Sequence, residues 1–365
     1  MVSKFWSRIV NEITPYEPGE QPQNHQLIKL NTNENPYPPS EVVLEAMKQA
    51  ASGDLRLYPD PNCSKLKEAA SEYYNLPSDH IFVGNGSDEI LGFCFKAFFN
   101  PQDTILFPNI TYSFYEVYAR LFDISYKTVA LNDHFEIPVE AFFQENKGII
   151  IANPNAPTGK CLDMDTIRLI LDKNPGSVVI IDEAYIDFGG TSSVELILEY
   201  NNLLVVHTFS KSRSLAGLRV GLALGQSELI EGLYRVKNSF NSYTLDRVAL
   251  AGAEQSLRDI DTFKTNVNRI IQTRELVTGR LRDIGFNVVD SKANFIFISH
   301  SEVPAVTIFE KLKQRNIYVR YFQKPGIDNY LRVSIGTELE MNEFYEGVKE
   351  ILKEYRFRND RTNQD

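Results

Sequence analysis

The chain has 365 residues, 43% of them hydrophobic and 24% charged, which is enough for a large core and about two domains. Acidic residues outnumber basic ones, 48 to 38, and the formal charge of −10 argues against nucleic acid as the main partner, because phosphate backbones are bound by concentrated basic surfaces. Small anionic ligands stay compatible with this charge, since a few local cations can form a site. Gly (20) and Pro (17) are at ordinary levels, which excludes a mostly disordered or collagen-like chain.

Cysteine and histidine are sparse and scattered. The three cysteines form no CxxC pair and the five histidines form no i, i+4 pair, so neither a disulfide framework nor a metal site is predicted. No run of 18 apolar residues occurs, and the start, MVSKFWSRIVNEITPY, lacks the apolar run of a signal peptide. We therefore expect a soluble protein of the reducing cytoplasm.

The first 40 residues are predicted to form an extended arm. The segments TPYEPGEQPQN and NENPYPPS are rich in proline and have few periodic apolar positions. We expect this arm, residues 1–40, to be part of the smaller domain. Two amphipathic helices follow: Val43, Met47 and Ala50 share one face of the first, and the second spans residues 64–74.

From about residue 80, short apolar runs alternate with helical patterns. The runs are IFVG, TILFP, GIIIANP, VVIIDEAY, LLVVHTFS and RVGLALG. They are rich in Ile and Val and do not alternate with polar residues, which is typical of parallel strands covered by helices on both faces. The pattern predicts a large α/β domain over residues 41–260.

The remaining chain, residues 261–365, is predicted to form a smaller α+β domain. A long helical stretch from about residue 247 to 281 leads into it. Beyond this stretch, FNVVD, NFIFIS, IYVRYF and YLRVSIG indicate strands, with helices near 304–315 and 340–355.

Two charged residues stand where predicted buried strands end, at the edge where open α/β sheets bind ligands. Lys211 follows LLVVHTFS, and partial desolvation there would lower its pKa and make its amine a usable nucleophile, as Schiff-base chemistry requires; an ordinary loop lysine is the alternative. Asp182 ends VVIID, where a carboxylate needs a cation. That cation could be a protonated pyridine nitrogen or a metal ion, and a structural N-cap or ion pair is the alternative.

Two other segments suggest a phosphate site. GNGSDEIL places two glycines and a serine directly before a predicted helix, whose free backbone N–H groups can bind phosphate, although a plain strand–turn–helix explains the pattern equally well. Arg219, in SLAGLRVG, could add a forked, charge-assisted contact; a surface ion pair is the alternative.

Taken in order, these segments resemble the pyridoxal-phosphate aminotransferases of fold type I. The run TFSKSRSLAGLRVG at 208–221 is similar to their lysine attachment signature, and Asp182 precedes Lys211 by 29 residues, a spacing that suits the family. The series GxGSDE, NPxxPTG, DEAY, SK and LRVS follows the family's order along nearly the whole chain. The resemblance implies an α/β fold with a mostly parallel seven-stranded sheet in a large domain, a small α+β domain, and pyridoxal 5′-phosphate as cofactor.

The resemblance also implies roles around the cofactor ring. Lys211 would bind the cofactor covalently and then act as the general acid and base. Asp182 would pair with the pyridine nitrogen and keep it protonated, so that the ring is an electron sink. Tyr185 would hydrogen-bond the phenolic oxygen O3′, and Tyr112 would stack on the ring face.

Further implied contacts concern the cofactor phosphate. Ser87 and Asp88, through backbone groups, and Ser210 and Arg219 would hold it. Tyr58 would reach it from the other subunit, which implies a homodimer with a shared active site.

Within the family, ITPYEPG, LNTNENPYPPS, LRLYPDPN and VRYF…NYLRVSIGTELE are similar to the branch that acts on histidinol phosphate and glutamate. Arg332 would bind the carboxylate of glutamate or 2-oxoglutarate, and Tyr16, Asn35 and Arg320 would help to place the phosphate of histidinol phosphate. Two guanidinium groups can serve both dianionic substrates, since their geometry matches carboxylate and phosphate, and their positive field is local despite the negative net charge.

One segment departs from the family pattern. The family has asparagine directly before Pro-Thr-Gly, where it contacts O3′, but this chain reads NPNAPTG and has Ala156 there. Asn155 is the predicted substitute, and Asn153 stays open as well. If neither asparagine reaches O3′, Tyr185 would be the only donor to it.

The sequence also bears on other classes of function. An ATPase is one alternative, because VVIIDE resembles a Walker B strand. A P-loop of the form GxxxxGK[ST] would have to end at the segment TGKC, but this chain has Pro154 at the position of its first glycine and Cys161 at the position of its Ser/Thr. A non-catalytic regulator on the same fold would need a DNA-binding module, which the sequence does not suggest. A phosphothreonine decarboxylase, a β-eliminating enzyme or an aromatic aminotransferase on the same scaffold stays open, because substrate choice depends on few residues.

Overall fold

The computed structural model describes residues 3–16, 19–22 and 27–362. The gaps at 17–18 and 23–26 fall within the predicted arm, and that part of the prediction lies outside the described residues. The helices are α1 Arg8–Glu12, α2 Glu41–Ala50, α3 Ser64–Tyr74, α4 Gly86–Phe98, α5 Phe114–Leu121, α6 Met164–Lys173, α7 Ser227–Phe240, α8 Arg247–Arg258, α9 Ile260–Asp283, α10 Ala305–Gln314 and α11 Glu338–Thr362. The strands are β1 Ile28–Leu30, β2 Ile81–Gly84, β3 Thr104–Pro108, β4 Ser125–Val129, β5 Gly148–Ala152, β6 Val178–Asp182, β7 Leu203–Thr208, β8 Gly221–Gly225, β9 Phe286–Val289, β10 Phe295–His300, β11 Ile317–Tyr321 and β12 Leu331–Ser334.

The larger sheet has seven strands in the order β2-β8-β7-β6-β5-β3-β4, and only β8 runs antiparallel to its neighbours. Its central strands are buried on both faces: Ile149 and Ile151 of β5 belong to one hydrophobic cluster, and Ile150 to another on the opposite face. Helices therefore cover both faces, which is why these strands read as continuous apolar runs. The predicted fold class, a mostly parallel seven-stranded α/β sheet, is confirmed.

The strand missed from the sequence is β4 at the edge of this sheet. Its residues, SYKTV, are exposed or half-buried except for the last one, the buried Val129. An edge strand needs no second covered face and is often charged, so it carries no continuous apolar run.

The smaller sheet has the order β1-β11-β12-β10-β9. The arm contributes β1, which pairs in parallel with β11 (Ile28 opposite Ile317), and the other strands are antiparallel. Leu30 of β1 is buried in the apolar cluster of this sheet. This anchor places the segment that follows β1 over the edge where the larger sheet's parallel strands end.

The helix predictions for α2, α3, α10 and α11 are confirmed, with α11 longer than expected. The stretch predicted to be helical over about 247–281 is helical, but it consists of two helices, α8 and α9, interrupted at Asp259. Asp259 leaves helical geometry there, and its carboxylate accepts a hydrogen bond from the N–H of Thr262, 3.3 Å away. An aspartate that caps a new helix start satisfies N–H groups that have no partner within the helix. Within the described ranges, no helix combines the length and apolarity needed to cross a lipid bilayer.

Candidate active site

A cavity of about 550 Å³ opens at the carboxyl ends of β5, β6 and β7, between the two sheets. It brings together most of the residues predicted from the sequence. The predicted residues that line it are Tyr16, Ser87, Asp88, Tyr112, Asp182, Tyr185, Ser210, Lys211, Arg219, Arg320 and Arg332. Among the described residues, no group of three His, Cys, Asp or Glu side chains is placed to hold a metal ion. The cavity is lined by amine, carboxylate and guanidinium groups.

Asp182 is the buried carboxylate at the base of the cavity. Desolvation by burial raises its pKa to about 6, against hydrogen bonds that favour the charged form. The hydroxyl of Tyr115 donates to Oδ2 at 2.8 Å, and the N–H of Ala184 donates to Oδ1 at 3.2 Å. Among the described residues no Lys or Arg forms an ion pair with this carboxylate. A buried carboxylate that faces a cavity with neutral donors alone fits a ligand that supplies a cationic N–H.

Tyr115 was not predicted from the sequence. It lies in the first turn of α5 and is fully buried, and its side chain meets Asp182 over a separation of 67 residues. Burial, with the Asp182 charge as the next cause, raises the pKa of the Tyr115 hydroxyl well above its ordinary value, so this hydroxyl stays a donor. Nothing in its local sequence distinguishes it from Tyr118, the other tyrosine of α5.

The start of α4 lies at the same edge of the sheet. The first turn of a helix has backbone N–H groups without intrahelical partners, which suit an anion. A Cβ on Gly221 would lie 2.7 Å from backbone atoms of Gly86 and Ser87, so glycine is required for β8 to pass this turn so closely. Ser87 and Asp88 at this helix start line the cavity, so the N–H groups of the first turn border a recess in which an anion could bind.

Arg219 lies beside this recess and is held by protein groups. Its Nη2 is 3.0 Å from Oδ2 of Asp88, and its Nη1 donates to Oγ of Ser210 at 3.3 Å. The hydroxyl of Tyr112 donates to the other oxygen of Asp88 at 2.7 Å. Burial, followed by the Asp88 charge, raises the pKa of the Tyr112 hydroxyl well above its ordinary value, which keeps it a donor. One carboxylate thus orients both the guanidinium and the aromatic ring.

Lys211 reaches the cavity from the loop after β7. Its Nζ donates to the carbonyl oxygen of Thr32 at 3.1 Å and lies 5.8 Å from the ring centre of Tyr185. Lys211 forms no ion pair among the described residues, although Glu34 of the same cavity is close enough for the two charges to interact. The Tyr185 hydroxyl accepts a hydrogen bond from the side-chain amide of Asn33 at 3.0 Å. Thr32 and Asn33 were not predicted as site residues, and both belong to the segment that β1 anchors over the cavity.

Two arginines approach from the smaller sheet. Arg320 of β11 and Arg332 of β12 are register partners. Nη2 of Arg332 donates to the carbonyl of Asn31 at 2.9 Å, whereas its Nε has no hydrogen-bond partner among the described residues. Desolvation lowers the pKa of this guanidinium. Arg320 contacts the ring of Phe322 at 5.6 Å and forms no ion pair within the described chain. Both arginines are thus free to bind an anionic ligand.

Three predicted residues do not line the cavity. Tyr58 is 78% exposed and stacks on Tyr243, 4.6 Å between ring centres. The amide of Asn35 donates to the carbonyls of Lys211 and Ser212, so it stabilises the loop that carries Lys211 without lining the cavity.

Asn155 is the third of these residues. It is buried, and its amide donates to the carbonyl of Ile110 at 2.9 Å while its oxygen accepts from Thr111 at 2.8 Å. Ala156, which does line the cavity, has no side-chain donor. The O3′ contact predicted for Asn155 stays a prediction, and its amide is already used within the protein.

The family profile described as aminotransferase class I and II matches residues 25–348. The chain belongs to the class I and II aminotransferases, and its cofactor is pyridoxal 5′-phosphate. The cavity fits this cofactor, because a carboxylate that lacks a cation, an unpaired lysine and an anion-binding helix start lie around one space. The predicted family and cofactor are confirmed.

Within this family the chain is similar to curated histidinol-phosphate aminotransferases. It is 56% identical over 351 residues to the one from Clostridium acetobutylicum, covering 96% of this chain and 100% of that protein. It is 55% identical to one from Clostridium botulinum, covering 96% and 99%. Among solved structures, histidinol-phosphate aminotransferase from Sinorhizobium meliloti in complex with pyridoxal-5′-phosphate is alike in fold, with a TM-score of 0.87 at 21% identity, covering 97% of this chain and 99% of that one.

Proposed function

We propose that this chain transfers the amino group of L-histidinol phosphate to 2-oxoglutarate, giving imidazole acetol phosphate and glutamate, in histidine biosynthesis. The observation that carries the proposal is the pair of adjacent arginines, Arg320 and Arg332, facing the same cavity as Lys211. One substrate is a dicarboxylate and the other a phosphate ester, and guanidinium groups bind both kinds of anion. The identity of 54–56% to curated histidinol-phosphate aminotransferases supports the same substrates.

The proposed roles follow from the site geometry. Pyridoxal phosphate, when bound, supplies the carbonyl that takes up the amino group and an electron sink for the carbanion. Asp182 would hold the ring nitrogen protonated, Tyr185 would donate to the phenolic oxygen, and Tyr112 would cover the ring. Nζ of Lys211 would remove the proton from the substrate Cα, because its amine is held in the cavity without an ion pair to any described residue.

The proposed anion contacts divide between the two ends of the cavity. Ser87, Asp88, Ser210 and Arg219 would hold the cofactor phosphate, through the helix start and the guanidinium. Arg332 would bind the substrate carboxylate. For the phosphate of histidinol phosphate we propose contacts from Arg320 and Tyr16, with Tyr16 fixed by its stacking on Phe114 at 4.3 Å. Asn35 would help to place this phosphate indirectly, through its bonds to the Lys211 loop.

We also propose a cytoplasmic homodimer that binds no nucleic acid. Tyr58 is exposed, as are Leu55, Leu57 and Phe240, each at least 45% exposed, and a partner subunit would cover such side chains. In the dimer Tyr58 would contact the cofactor phosphate of the partner's site. The net charge of −10 supports the proposal that the protein binds no nucleic acid, and the scattered cysteines support a cytoplasmic location.

The proposed domain division is an arm of residues 1–40 that joins the small domain, a large domain at 41–260 and a small domain at 261–365. Its support is that the larger sheet takes its strands from 81–225, whereas the smaller sheet takes its strands from the arm and from the chain beyond residue 285.

The test of function compares substrates on the purified holoenzyme. We expect amino transfer from histidinol phosphate to 2-oxoglutarate to exceed that from phenylalanine or aspartate at least about tenfold in kcat/KM, the discrimination that one charge-assisted contact provides. Equal rates with phenylalanine would favour an aromatic aminotransferase, and release of carbon dioxide from phosphothreonine would favour a decarboxylase. For the dimer, mixing Lys211→Ala and Tyr58→Phe proteins should restore activity, because one mixed site is intact; no restoration would count against a shared site.

A further inference from the structure

A buried chain of hydrogen bonds runs from β12 to the cavity. The backbone N–H of Asn33 donates to Oγ of Ser334 at 2.8 Å, and the Ser334 hydroxyl donates to Oδ1 of Asn33 at 2.9 Å. Nδ2 of Asn33 then donates to the Tyr185 hydroxyl at 3.0 Å. Asn33 and Ser334 are 1% and 2% exposed, so water does not compete for the two bonds between them, and Ser334 fixes which end of the amide faces Tyr185.

The direction of this chain determines where the Tyr185 proton goes. An amide NH₂ can donate but cannot accept, so the Tyr185 oxygen is an acceptor toward Asn33. Among the described residues the Tyr185 hydroxyl has no acceptor of its own, and the residue lines the cavity. Its proton therefore points into the space that the cofactor fills.

The backbone at Asn33 is built for this contact. Its φ is +57°, a left-handed conformation that Asn, Asp and Gly tolerate better than other residues. Its carbonyl accepts from the side chain of Asn294 at 3.0 Å. Contacts from two parts of the small sheet thus hold a conformation that a free chain rarely adopts.

We propose that Asn33 is a positioning residue that directs the Tyr185 hydroxyl proton toward the phenolic oxygen of the cofactor; this rests on the proposed role of Tyr185. Ala156, at the position where the resemblance placed an asparagine donor, has no polar group, so the orientation of Tyr185 carries more of the contact. The same strand, β12, carries Arg332 two residues before Ser334, which places the substrate-facing guanidinium and the origin of the hydrogen-bond chain on one element.

The test replaces the donor by an acceptor of the same shape, Asn33→Asp, in the holoenzyme. The carboxylate would take the Tyr185 proton away from the cofactor oxygen and leave its negative charge less stabilised. The nitrogen that joins Lys211 to the cofactor lies next to this oxygen, and it would then hold its proton more tightly. The apparent pKa at which the visible absorption of the bound cofactor changes should therefore rise by about one pH unit. Tyr185→Phe should shift it in the same direction, and Asn33→Asp should add little in the Tyr185→Phe background.

The outcomes separate the two proposals. If Tyr185→Phe shifts the absorption pKa but Asn33→Asp does not, or if the two shifts are additive, Asn33 does not act through Tyr185 and the inference is wrong. If Tyr185→Phe causes no shift, the proposed role of Tyr185 fails first. Should Asn33→Asp not fold, as judged by near-ultraviolet circular dichroism, Asn33→Gly tolerates the same φ and removes the donor without adding charge; about half the shift is expected, and none would overturn the inference.

Discussion

The two ends of the cavity differ in how their charges are satisfied. At the end formed by the larger sheet, Arg219 is bonded to Asp88, and Asp182 accepts from Tyr115. At the end formed by the smaller sheet, Arg320 and Arg332 have no carboxylate partner among the described residues. The charged groups of the first end are held by contacts within the protein, whereas the two guanidinium groups of the second end are available to an anionic ligand.

This difference matches the ligands that each end is proposed to bind. A cofactor that stays bound through many reaction cycles benefits from a rigid, preorganised site. Two substrates that alternate in one space need cations that can serve either anion. Separate changes at the two ends should therefore affect different steps, and four predictions test this.

The largest effect is expected at Lys211, where both ends meet. Lys211→Ala should lower kcat by about 10³-fold, the loss that removal of a general acid–base group causes. Borohydride should fix the cofactor on Lys211 in the unmodified protein, and peptide mapping should find no fixed cofactor in the variant. Covalent fixation in Lys211→Ala would contradict the attachment role.

At the substrate end, Arg332→Ala should lower kcat/KM for glutamate about 100-fold, because a charge-assisted contact to its carboxylate is lost. Cofactor affinity, measured by fluorescence titration of the apoenzyme, should change less than about twofold, since the proposed phosphate contacts lie at the other end. Arg320→Ala is the matched control, and we expect it to affect histidinol phosphate more than glutamate. If Arg332→Ala lowered glutamate turnover and cofactor affinity equally, the idea that the two ends bind different ligands would be wrong.

At the cofactor end, the buried charge of Asp182 should lower the free energy of unfolding of the apoenzyme. Its pKa in the folded protein is about 6, above the ordinary value of 3.8, so folding favours the neutral carboxyl. The loss of stability caused by the charged form is therefore absent below about pH 4, grows between pH 4 and 6, and is complete above pH 6. Asp182→Asn should thus raise the free energy of unfolding of the apoenzyme by about 3 kcal/mol at pH 7.5, and weaken cofactor binding. Urea unfolding measures the gain, which should vanish at pH 4; an equal gain at both pH values would exclude this cause.

The smallest effect is expected from Tyr115→Phe, which removes one hydrogen bond to Asp182. Cofactor affinity should fall about tenfold, the effect of one hydrogen bond to a charged group. Tyr126→Phe is the control, because Tyr126 also packs on Phe107 but donates to Glu116 instead. The same affinity in both variants would show that Asp182 is held without Tyr115.

Much of the cofactor end could be predicted from the sequence. Asp182 and Lys211 follow strands whose apolar runs are visible in the sequence, and parallel strands end at one edge of a sheet, so their proximity follows from local pattern. Asn35 and Asn155 show the limit of this reasoning. Both lie in segments that the resemblance marked, yet their amides are bonded to backbone groups and do not line the cavity.

The break between α8 and α9 and the edge strand β4 could not be predicted for related reasons. Asp is a preferred cap residue but also occurs within helices at a small cost, so packing decides whether a single aspartate such as Asp259 interrupts a helix. The residues of β4 carry a weak pattern because one of its edges faces solvent.

The sequence by itself determined the class of fold and the positions of the reactive lysine and carboxylate, because buried parallel strands and the turns after them leave a local signature. The tertiary structure alone decided that Tyr115 supports Asp182 and that Asn33 donates to Tyr185. These contacts join residues 67 and 152 positions apart. They depend on how α5 and the segment after β1 pack against the cavity, and no periodicity or motif of the chain encodes which distant hydroxyl or amide meets which partner.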